Sequence, residues 1–389
     1  MKIKIYTIFT ILLYFSVIVK VYYINAFNIF RILCMALVFL FLIKQVKIFF
    51  MPKYRRINMI LLVFLSIIVI SSVYNDMNPY RGINFAIQIL LVFLYFEFLS
   101  ENNIIDKNLQ LIKYLTLILC IISDAILIVT DRFYISSGGY YLIGNKFDLS
   151  YLHILVFILF LYFRRKNNSI DTIKCILMFI LTIIIAIKVK CSTALVGTMI
   201  VLILNLMNKK VLQKIYNSKV AIVILLFAFS FFIIYNVILN NSFVQYIVKD
   251  VLNRDLSLTG RTRIYDEIID IVDEKALLGY GYGNSYEILM KKIAAPNTQN
   301  GLMESIFNYG IFGAIMLVII YHSVVKNNTN NTKIYPFLAY LYMLVLLSMI
   351  EITFELLFFV ILAVINGSGF IGGNDEKVRR INKCDYTNI

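Results

Sequence analysis

The chain has 389 residues, of which 61% are hydrophobic and 15% are charged, and its formal net charge is +15. Soluble domains are roughly half apolar, so this composition excludes a soluble globular fold and predicts an all-α, polytopic integral membrane protein. The basic residues form short clusters between apolar runs, as topology signals do, and they do not indicate a nucleic-acid partner. Its five cysteines are scattered, which predicts neither a disulfide framework nor a metal site.

About twelve apolar segments near membrane-spanning length follow one another along the chain. They lie at residues 5–24, 27–43, 57–75, 83–100, 111–130, 149–163, 173–189, 193–208, 219–239, 303–325, 334–350 and 353–371. The first of them, within MKIKIYTIFTILLYF, is charged and then apolar like a signal peptide. No small-residue cleavage site follows it, so we expect a retained first span.

The positive-inside rule orients these segments. If both termini are cytoplasmic, 23 of the 37 basic residues fall on the cytoplasmic side and only 7 fall in the short outer loops or the adjoining outer ends of the segments. The sequence therefore predicts one membrane domain over residues 1–389, a large extracytoplasmic loop over 240–302 and a short cytoplasmic tail over 372–389.

The first half of the large loop predicts an amphipathic helix. Ile264, Ile268 and Ile271 recur at helical spacing, and we expect this apolar face to lie on the membrane. Arg261 and Arg263 stand at the start of the helix, where free backbone N–H groups and guanidinium groups together suit a phosphate. The alternative is structural, an ion pair between Arg263 and Glu267 one turn later.

The second half of the loop reads GYGYGNSYE over residues 279–287. No strand precedes it and no Gly-Lys-Ser/Thr follows it, so its glycines predict turns of a surface or re-entrant segment, not a nucleotide site. Its tyrosines suit an interfacial belt or the stacking of sugars, and the belt is favoured.

Polar residues next to the predicted spans are further candidates for a site. Asn297, Gln299, Asn300 and Glu304 lead into the tenth span and predict either hydrogen bonds to sugar hydroxyls or capping of a helix. Lys188 and Lys190 either engage an anion or extend to the membrane interface. Charge is costly in lipid, so ionisable residues near or within spans are functional candidates: Glu97, Asp124, His153, Glu351 and Glu355.

Four parts of the chain together resemble the O-antigen ligase/polymerase superfamily of bacterial envelope glycosyltransferases. They are GNKFDLSYLHIL at 144–155, CSTALVG at 191–197, LTGRTRIYDE with LLGYGYGNS between 258 and 285, and QNGLMESIFNYGIFG at 299–313. The resemblance implies a membrane glycosyltransferase fold of the GT-C-like type in the bacterial cytoplasmic membrane. It also implies transfer of a glycan from undecaprenyl diphosphate to an acceptor outside the membrane, without a nucleotide sugar, metal or cofactor.

The resemblance implies roles for individual residues. Arg261, in the TGR position, is expected to engage the lipid diphosphate, helped by Arg263 or Lys190. The family often has a His-Asn pair where this chain has Gln299-Asn300, and a glutamine is not a useful base at neutral pH. The carboxylates of Asp266 and Glu304 are then the expected bases, while Gln299 and Asn300 bind substrate.

The missing histidine favours a polysaccharide polymerase that joins two lipid-linked oligosaccharides in the membrane. A flippase and a chain-length regulator are the partner proteins expected for such an enzyme. Two alternatives stay open at this point. One is a ligase that transfers the finished glycan to lipid A core or another surface acceptor, and the other is a flippase for lipid-linked sugars.

Overall fold

The structure is a computed structural model that describes residues 2–19, 21, 25–75, 77–130, 133–135, 138–165, 167–239, 241–246, 249–250 and 261–369. The tail predicted over 372–389 lies outside the described residues, as does the part of the large loop over 251–260.

The described chain is predominantly helical, as predicted. Its helices are α1 (Lys2–Leu13), α2 (Asn25–Ile43), α3 (Pro52–Tyr74), α4 (Pro79–Glu101), α5 (Ile105–Thr130), α6 (Lys146–Tyr162), α7 (Ser169–Lys188), α8 (Ser192–Leu206), α9 (Lys209–Ile215), α10 (Ser218–Leu239), α11 (Ser242–Tyr246), α12 (Arg261–Asp273), α13 (Ser285–Ile293), α14 (Gly301–Asn328), α15 (Tyr335–Leu347) and α16 (Leu356–Gly369). A π-helical turn over Tyr14–Ile18 continues α1. Two short strands, β1 (Phe133–Ile135) and β2 (Gly138–Tyr140), pair antiparallel with Tyr134 opposite Gly139.

Six helices are long and apolar enough to cross a membrane: α2, α3, α4, α5, α7 and α14. A seventh candidate is the pair formed by α9 and α10, which is bent by 60°. Shorter apolar helices lie at Ile5–Ile18, Ser192–Leu206, Thr332–Leu347 and Leu356–Gly369. A helix overlaps each of the twelve apolar segments that the sequence predicts. The chain is therefore a helical, membrane-embedded protein.

Burial separates central helices from peripheral ones. Nearly every residue of α15 and α16 is buried, which explains why these two helices are apolar on all sides. By contrast, α2 and α7 leave rows of isoleucine and leucine exposed, among them Ile29, Leu40 and Ile173. Exposed apolar faces of this kind suit contact with lipid.

The contacts between loops fall at two separate ends of the helices. At the first, which we call the cavity end, Asn75 donates to the carbonyl oxygen of Gly279 over 2.9 Å, and the amide of Gly301 donates to Ser348 over 2.8 Å. At the opposite end, the Tyr162 hydroxyl donates to Asp106 over 2.7 Å. Other contacts at this end join Lys333 to Asp106, Asn331 to Ser368 and Tyr342 to Ile215.

A kink in α14 frees backbone groups that bind the large loop at the cavity end. Gly310 has φ 70° and ψ −177°, which interrupts the helix. The backbone groups that the kink leaves without helical partners bind the segment before α13 instead. The amide of Gly281 donates to the Asn308 carbonyl over 3.0 Å, and the amide of Ile311 donates to Ala276 over 2.8 Å. The kink therefore anchors the glycine-rich part of the large loop to a membrane helix.

Candidate functional site

The predicted amphipathic helix is present as α12, but its apolar face does not lie on the membrane. Ile264, Ile268 and Ile271 are buried in a small core with side chains of α10, α13 and α14. Phe231 of α10 and Leu289 of α13 belong to the same core. The expectation of a membrane-surface helix was wrong because the chain itself supplies an apolar partner. Helix α12 is thereby fixed beside the start of α14.

The polar side chains of α12 hold neighbouring elements. The Tyr235 hydroxyl donates to the exposed Asp266 over 2.7 Å, which joins α10 to α12. Arg263 donates to the carbonyl oxygen of Ile293 over 2.7 Å and forms no ion pair with Glu267, both residues being described. Arg261 is the first residue of α12, and its side chain lies outside the described atoms.

The glycine-rich segment forms turns, as predicted. Gly279, Gly281 and Gly283 all have positive φ, between 70° and 85°. The belt interpretation of its tyrosines was wrong for two of them. Tyr280 is buried and stacks on Phe307 with ring centroids 4.6 Å apart, and Tyr282 stacks on Phe85 at 4.0 Å. These rings pack against α14 and α4 because the turn carries them into the protein.

The outer edge of this segment is held by a charged contact. Lys292 of α13 donates to Glu274 over 2.5 Å, and the Tyr280 hydroxyl donates to the same carboxylate over 2.8 Å. The Lys292 hydrogen bond, followed by that of Tyr280, lowers the pKa of Glu274 below its ordinary value. Burial is the main reason that the pKa of Tyr280 is raised, and Glu274 raises it further. The Glu274–Lys292 contact therefore joins the end of α12 to α13.

Asn300 caps α14. Its side-chain oxygen accepts from the amides of Leu302 and Met303 over 3.2 and 3.1 Å. Its side-chain nitrogen donates to the carbonyl oxygens of Ala228 and Met349, and the residue is 0% exposed. This is the helix-capping geometry that the sequence offered as the alternative to sugar binding.

Gln299 and Asn297 form a tight turn before this cap. Gln299 has φ 57°, and its backbone and side-chain nitrogens both donate to Asn297 Oδ1, over 3.0 and 2.5 Å. Its carbonyl oxygen accepts from the Tyr265 hydroxyl over 3.0 Å. The turn presents Asn297 to a neighbouring cavity.

Glu304 follows Asn300 by one helical turn and faces that cavity. The residue is 6% exposed, and its carboxylate accepts from the backbone amide of Thr298 over 3.1 Å and from the Asn308 side chain over 3.3 Å. The cavity has a volume of about 200 Å³. Two amide side chains, those of Asn297 and Asn308, line it together with Glu304. This arrangement combines a buried carboxylate with groups that hydrogen-bond hydroxyls.

Glu355 connects this cavity to two others. It lines the cavity of Glu304, a second one of about 170 Å³ and a third one of about 250 Å³. The second also contains Asp148 and Glu351, and it shares Asn297 with the first. The three cavities therefore form one adjoining polar region at the cavity end, which we call the acidic cavity region.

Two arginines face the same region from the third cavity. Arg31 of α2 and Arg81 of α4 line it with Glu355. Arg81 is also held by the loop, since it donates to the carbonyl oxygen of Gly283 over 2.6 Å and to Glu287 over 2.9 Å. The region thus brings two guanidinium groups and several carboxylates to cavities that share Glu355.

Sequence reasoning missed Arg31, Arg81 and Asp148 as lining residues. Asp148 lies in the GNKFDL segment, where it forms a capping box with Asn145 at the start of α6. The sequence marks that segment only as part of the family resemblance. The two arginines are single basic residues in predicted outer loops or spans, and only the packing of α2 and α4 brings them to Glu355.

Of the other predicted residues, Lys190 is exposed at the turn between α7 and α8, with φ 54°. It is absent from the linings of the three cavities, as are Arg263, Asp266, Gln299 and Asn300. Among the predicted residues whose side chains are described, Glu304, Glu351 and Glu355 line the acidic cavity region, with Asn297 beside them. Among the described residues, groups of His, Cys, Asp and Glu that could hold a metal ion are absent.

Other buried ionisable residues have partners inside the protein. His153 contacts Asp124 over 3.1 Å and the carbonyl oxygen of Leu149 over 2.9 Å, so the imidazole joins α5 to α6. Glu97 accepts from Asn58 over 2.9 Å and from Asn366 over 3.0 Å. These contacts satisfy polar groups between helices.

Comparisons of the chain with models of protein families, with curated proteins and with solved structures find no match.

Proposed function

We propose that the chain is an integral-membrane polysaccharide polymerase. It would transfer an undecaprenyl-diphosphate-linked glycan onto a lipid-linked acceptor repeat unit on the outer side of the bacterial cytoplasmic membrane. The observation that carries the proposal is the acidic cavity region, where Glu304 and Glu355 meet amide side chains and arginines. A cavity with a few convergent polar groups is the usual form of a binding site for a small or extended ligand.

The proposed architecture has twelve spans of the GT-C-like type, with both termini in the cytoplasm. Two observations support it. A helix overlaps each predicted segment, and contacts between loops separate into the cavity end and the opposite end, as alternate crossings require. The positive-inside rule then places the acidic cavity region outside, where the acceptor glycan would be.

In the proposed reaction, the acceptor hydroxyl oxygen bonds to the anomeric carbon of the donor sugar. The bond from that carbon to the diphosphate oxygen breaks, and its electron pair leaves with the diphosphate. The hydroxyl proton passes to a carboxylate acting as general base. Glu304 is assigned this role because it lines the cavity beside Asn297 and Asn308. Asp266 lies on α12, outside the linings of the three cavities.

The departing diphosphate requires positive charge near the acidic cavity region. Arg261 is assigned to it, as the family resemblance implies, and Arg31 and Arg81 are added because they line the third cavity. Arg263 is given a smaller part in binding the diphosphate, because its guanidinium group already donates to the carbonyl oxygen of Ile293. Guanidinium groups suit diphosphate because their planar donors match two oxygens at once.

The test compares surface and lipid-linked glycans on gels from cells that depend on this chain, at matched protein levels. The variants are Arg261→Ala and Glu304→Gln, with Asp270→Asn on the exposed face of α12 as the control. Single repeat units outside the membrane, without a ladder, support the polymerase. A complete ladder retained on its lipid carrier indicates a ligase instead.

Two further results would contradict the proposal. Lipid-linked repeat units that stay on the cytoplasmic side of the membrane would identify a flippase. A normal, correctly attached ladder from both variants would remove Arg261 and Glu304 from the site.

A further inference from the structure

A fourth cavity, larger than the three of the acidic cavity region, lies at the opposite end of the helices, among α5, α6 and α7. Its volume is about 510 Å³. Gln110, Lys113, Tyr114 and Leu117 of α5 line one side. Their spacing places all four on one face of the helix, and they pass from polar to apolar along the chain.

The α7 side of the cavity has the same gradient. Lys174 lies near the start of this helix, and Leu177 and Met178 follow one turn later. Because α5 and α7 both begin at the opposite end, the two gradients run in the same direction. The cavity is therefore charged at its mouth and apolar further along the helices. Tyr114 and Leu177 are exposed, so its side wall faces the lipid.

Lys113 is the central feature of this cavity. It is 8% exposed, and its ammonium group lies 4.7, 5.0 and 4.9 Å from the ring centroids of Tyr114, Phe160 and Phe163. In the part of the chain that the structure describes, Lys113 forms no ion pair. A buried cation without an anionic partner is costly, and aromatic rings compensate only part of the lost hydration.

The other charges at the cavity leave it positive. Arg165 donates to Asp171 over 2.9 Å, so these two residues neutralise each other. Lys113 and Lys174 are the remaining charged residues in the lining. Two ammonium groups next to an apolar groove complement an anionic headgroup joined to an acyl chain.

We propose that this cavity binds one anionic phospholipid. The phosphate contacts Lys113 and Lys174, and an acyl chain lies along Leu117, Leu177 and Met178. By the positive-inside rule this end is cytoplasmic, so the lipid comes from the inner leaflet, whose surface is anionic. The site is remote from the acidic cavity region and does not depend on the proposed polymerase activity.

The experiment is a lipid titration of the purified, delipidated full chain, followed by native mass spectrometry. The probes are phosphatidylglycerol, phosphatidylcholine with the same acyl chains, and inorganic phosphate as a competitor. The variants are Lys113→Gln and Lys174→Gln, with Lys113→Arg to retain the charge. The control is Lys210→Gln, which removes an exposed charge on α9. Circular dichroism checks that each variant is folded.

We expect the wild type to prefer phosphatidylglycerol over phosphatidylcholine. Loss of either lysine should weaken phosphatidylglycerol binding roughly fivefold, the effect of about one basic residue near a membrane surface. Lys113→Arg and Lys210→Gln should bind as the wild type does. If Lys113→Gln does not fold, Lys174→Gln gives the same test at an exposed position.

Equal binding of the two lipids, or equal losses in Lys174→Gln and Lys210→Gln, would overturn the proposal. Displacement of the lipid by inorganic phosphate at a similar concentration would show a phosphate site without a role for the acyl chain, and would overturn it too.

Discussion

Tyr280 and Phe307 join the glycine-rich loop to a membrane helix in two ways. The Tyr280 amide donates to the carbonyl oxygen of Phe307 over 2.7 Å, and the two rings stack with centroids 4.6 Å apart. The carbonyl group is available because the kink at Gly310 interrupts α14 three residues later. Glu304, on the preceding turn of α14, is positioned by the same junction.

Gly310→Ala should destabilise this junction. An added Cβ would lie 2.0 Å from the carbonyl oxygen of Leu277, and φ 70° disfavours a side chain in any case. We expect the free energy of unfolding to fall by about 3 kcal/mol or more. Thermal unfolding in detergent, followed by circular dichroism, measures the change. Gly197→Ala is the control, since its Cβ meets the flexible Met343 side chain. Equal midpoints for the two variants would refute the role of Gly310.

Glu304→Gln should separate activity from folding. The amide keeps the size of the side chain but cannot take up the acceptor proton, so we expect a loss of roughly 10²–10⁴-fold in the polymerisation rate. Because the amide nitrogen of glutamine cannot accept, one of the two hydrogen bonds from Thr298 and Asn308 is lost, which should cost about 1–3 kcal/mol of stability. The rate is measured with lipid-linked repeat units in vesicles. A rate within twofold of that of Asp270→Asn, roughly the scatter of such assays, would exclude Glu304 as the base.

Asn300→Ala should act on stability through the helix cap. It removes the acceptor for Leu302 and Met303, and we expect a loss of about 1–2 kcal/mol. Asn300→Ser retains a capping oxygen and should keep most of the stability that Asn300→Ala loses. Thermal unfolding of the two variants tests this, with activity measured at a temperature where both are folded. If Asn300→Ser is stable but inactive, Asn300 contacts substrate in addition to capping α14.

The Glu274–Lys292 contact should make stability depend on pH. The pKa of Glu274 is lower in the folded chain than its ordinary value of 4.5. The contact therefore stabilises the fold above about pH 4.5, and this contribution is lost as the pH falls through the folded-state pKa. Glu274→Gln should unfold at a midpoint that varies less with pH in this range, while the exposed control Asp270→Asn should follow the wild type. Parallel curves for the wild type and Glu274→Gln would contradict the prediction.

The orientation of the membrane helices can be tested by labelling. Tyr286 on α13 is 59% exposed, and we expect Tyr286→Cys to react with an impermeant maleimide added to intact cells. Lys210→Cys, on the opposite end, should react only after the membrane is opened. The described native cysteines are all buried, and Cys384 is replaced by serine in the background chain. Labelling of Lys210→Cys from outside would reverse the proposed topology.

The sequence by itself determined the membrane class, the helices in the twelve apolar segments, the turns at the loop glycines and the helix α12. These features follow from local composition and periodicity. The length of an apolar segment matches the hydrophobic thickness of a bilayer, and the spacing of apolar residues matches the helical repeat. It could not determine which surface covers the apolar face of α12, because lipid and the side chains of α10 and α13 satisfy an isoleucine stripe equally well.

Only the tertiary structure decided which polar residues meet. Asn300 and Glu304 are four positions apart, yet the Asn300 side chain caps α14 while Glu304 faces a cavity. Arg31, Arg81 and Glu355 are far apart in the chain and line one cavity because α2 and α16 both pack beside α4. Such meetings depend on packing between distant segments, and no local pattern in the sequence encodes them.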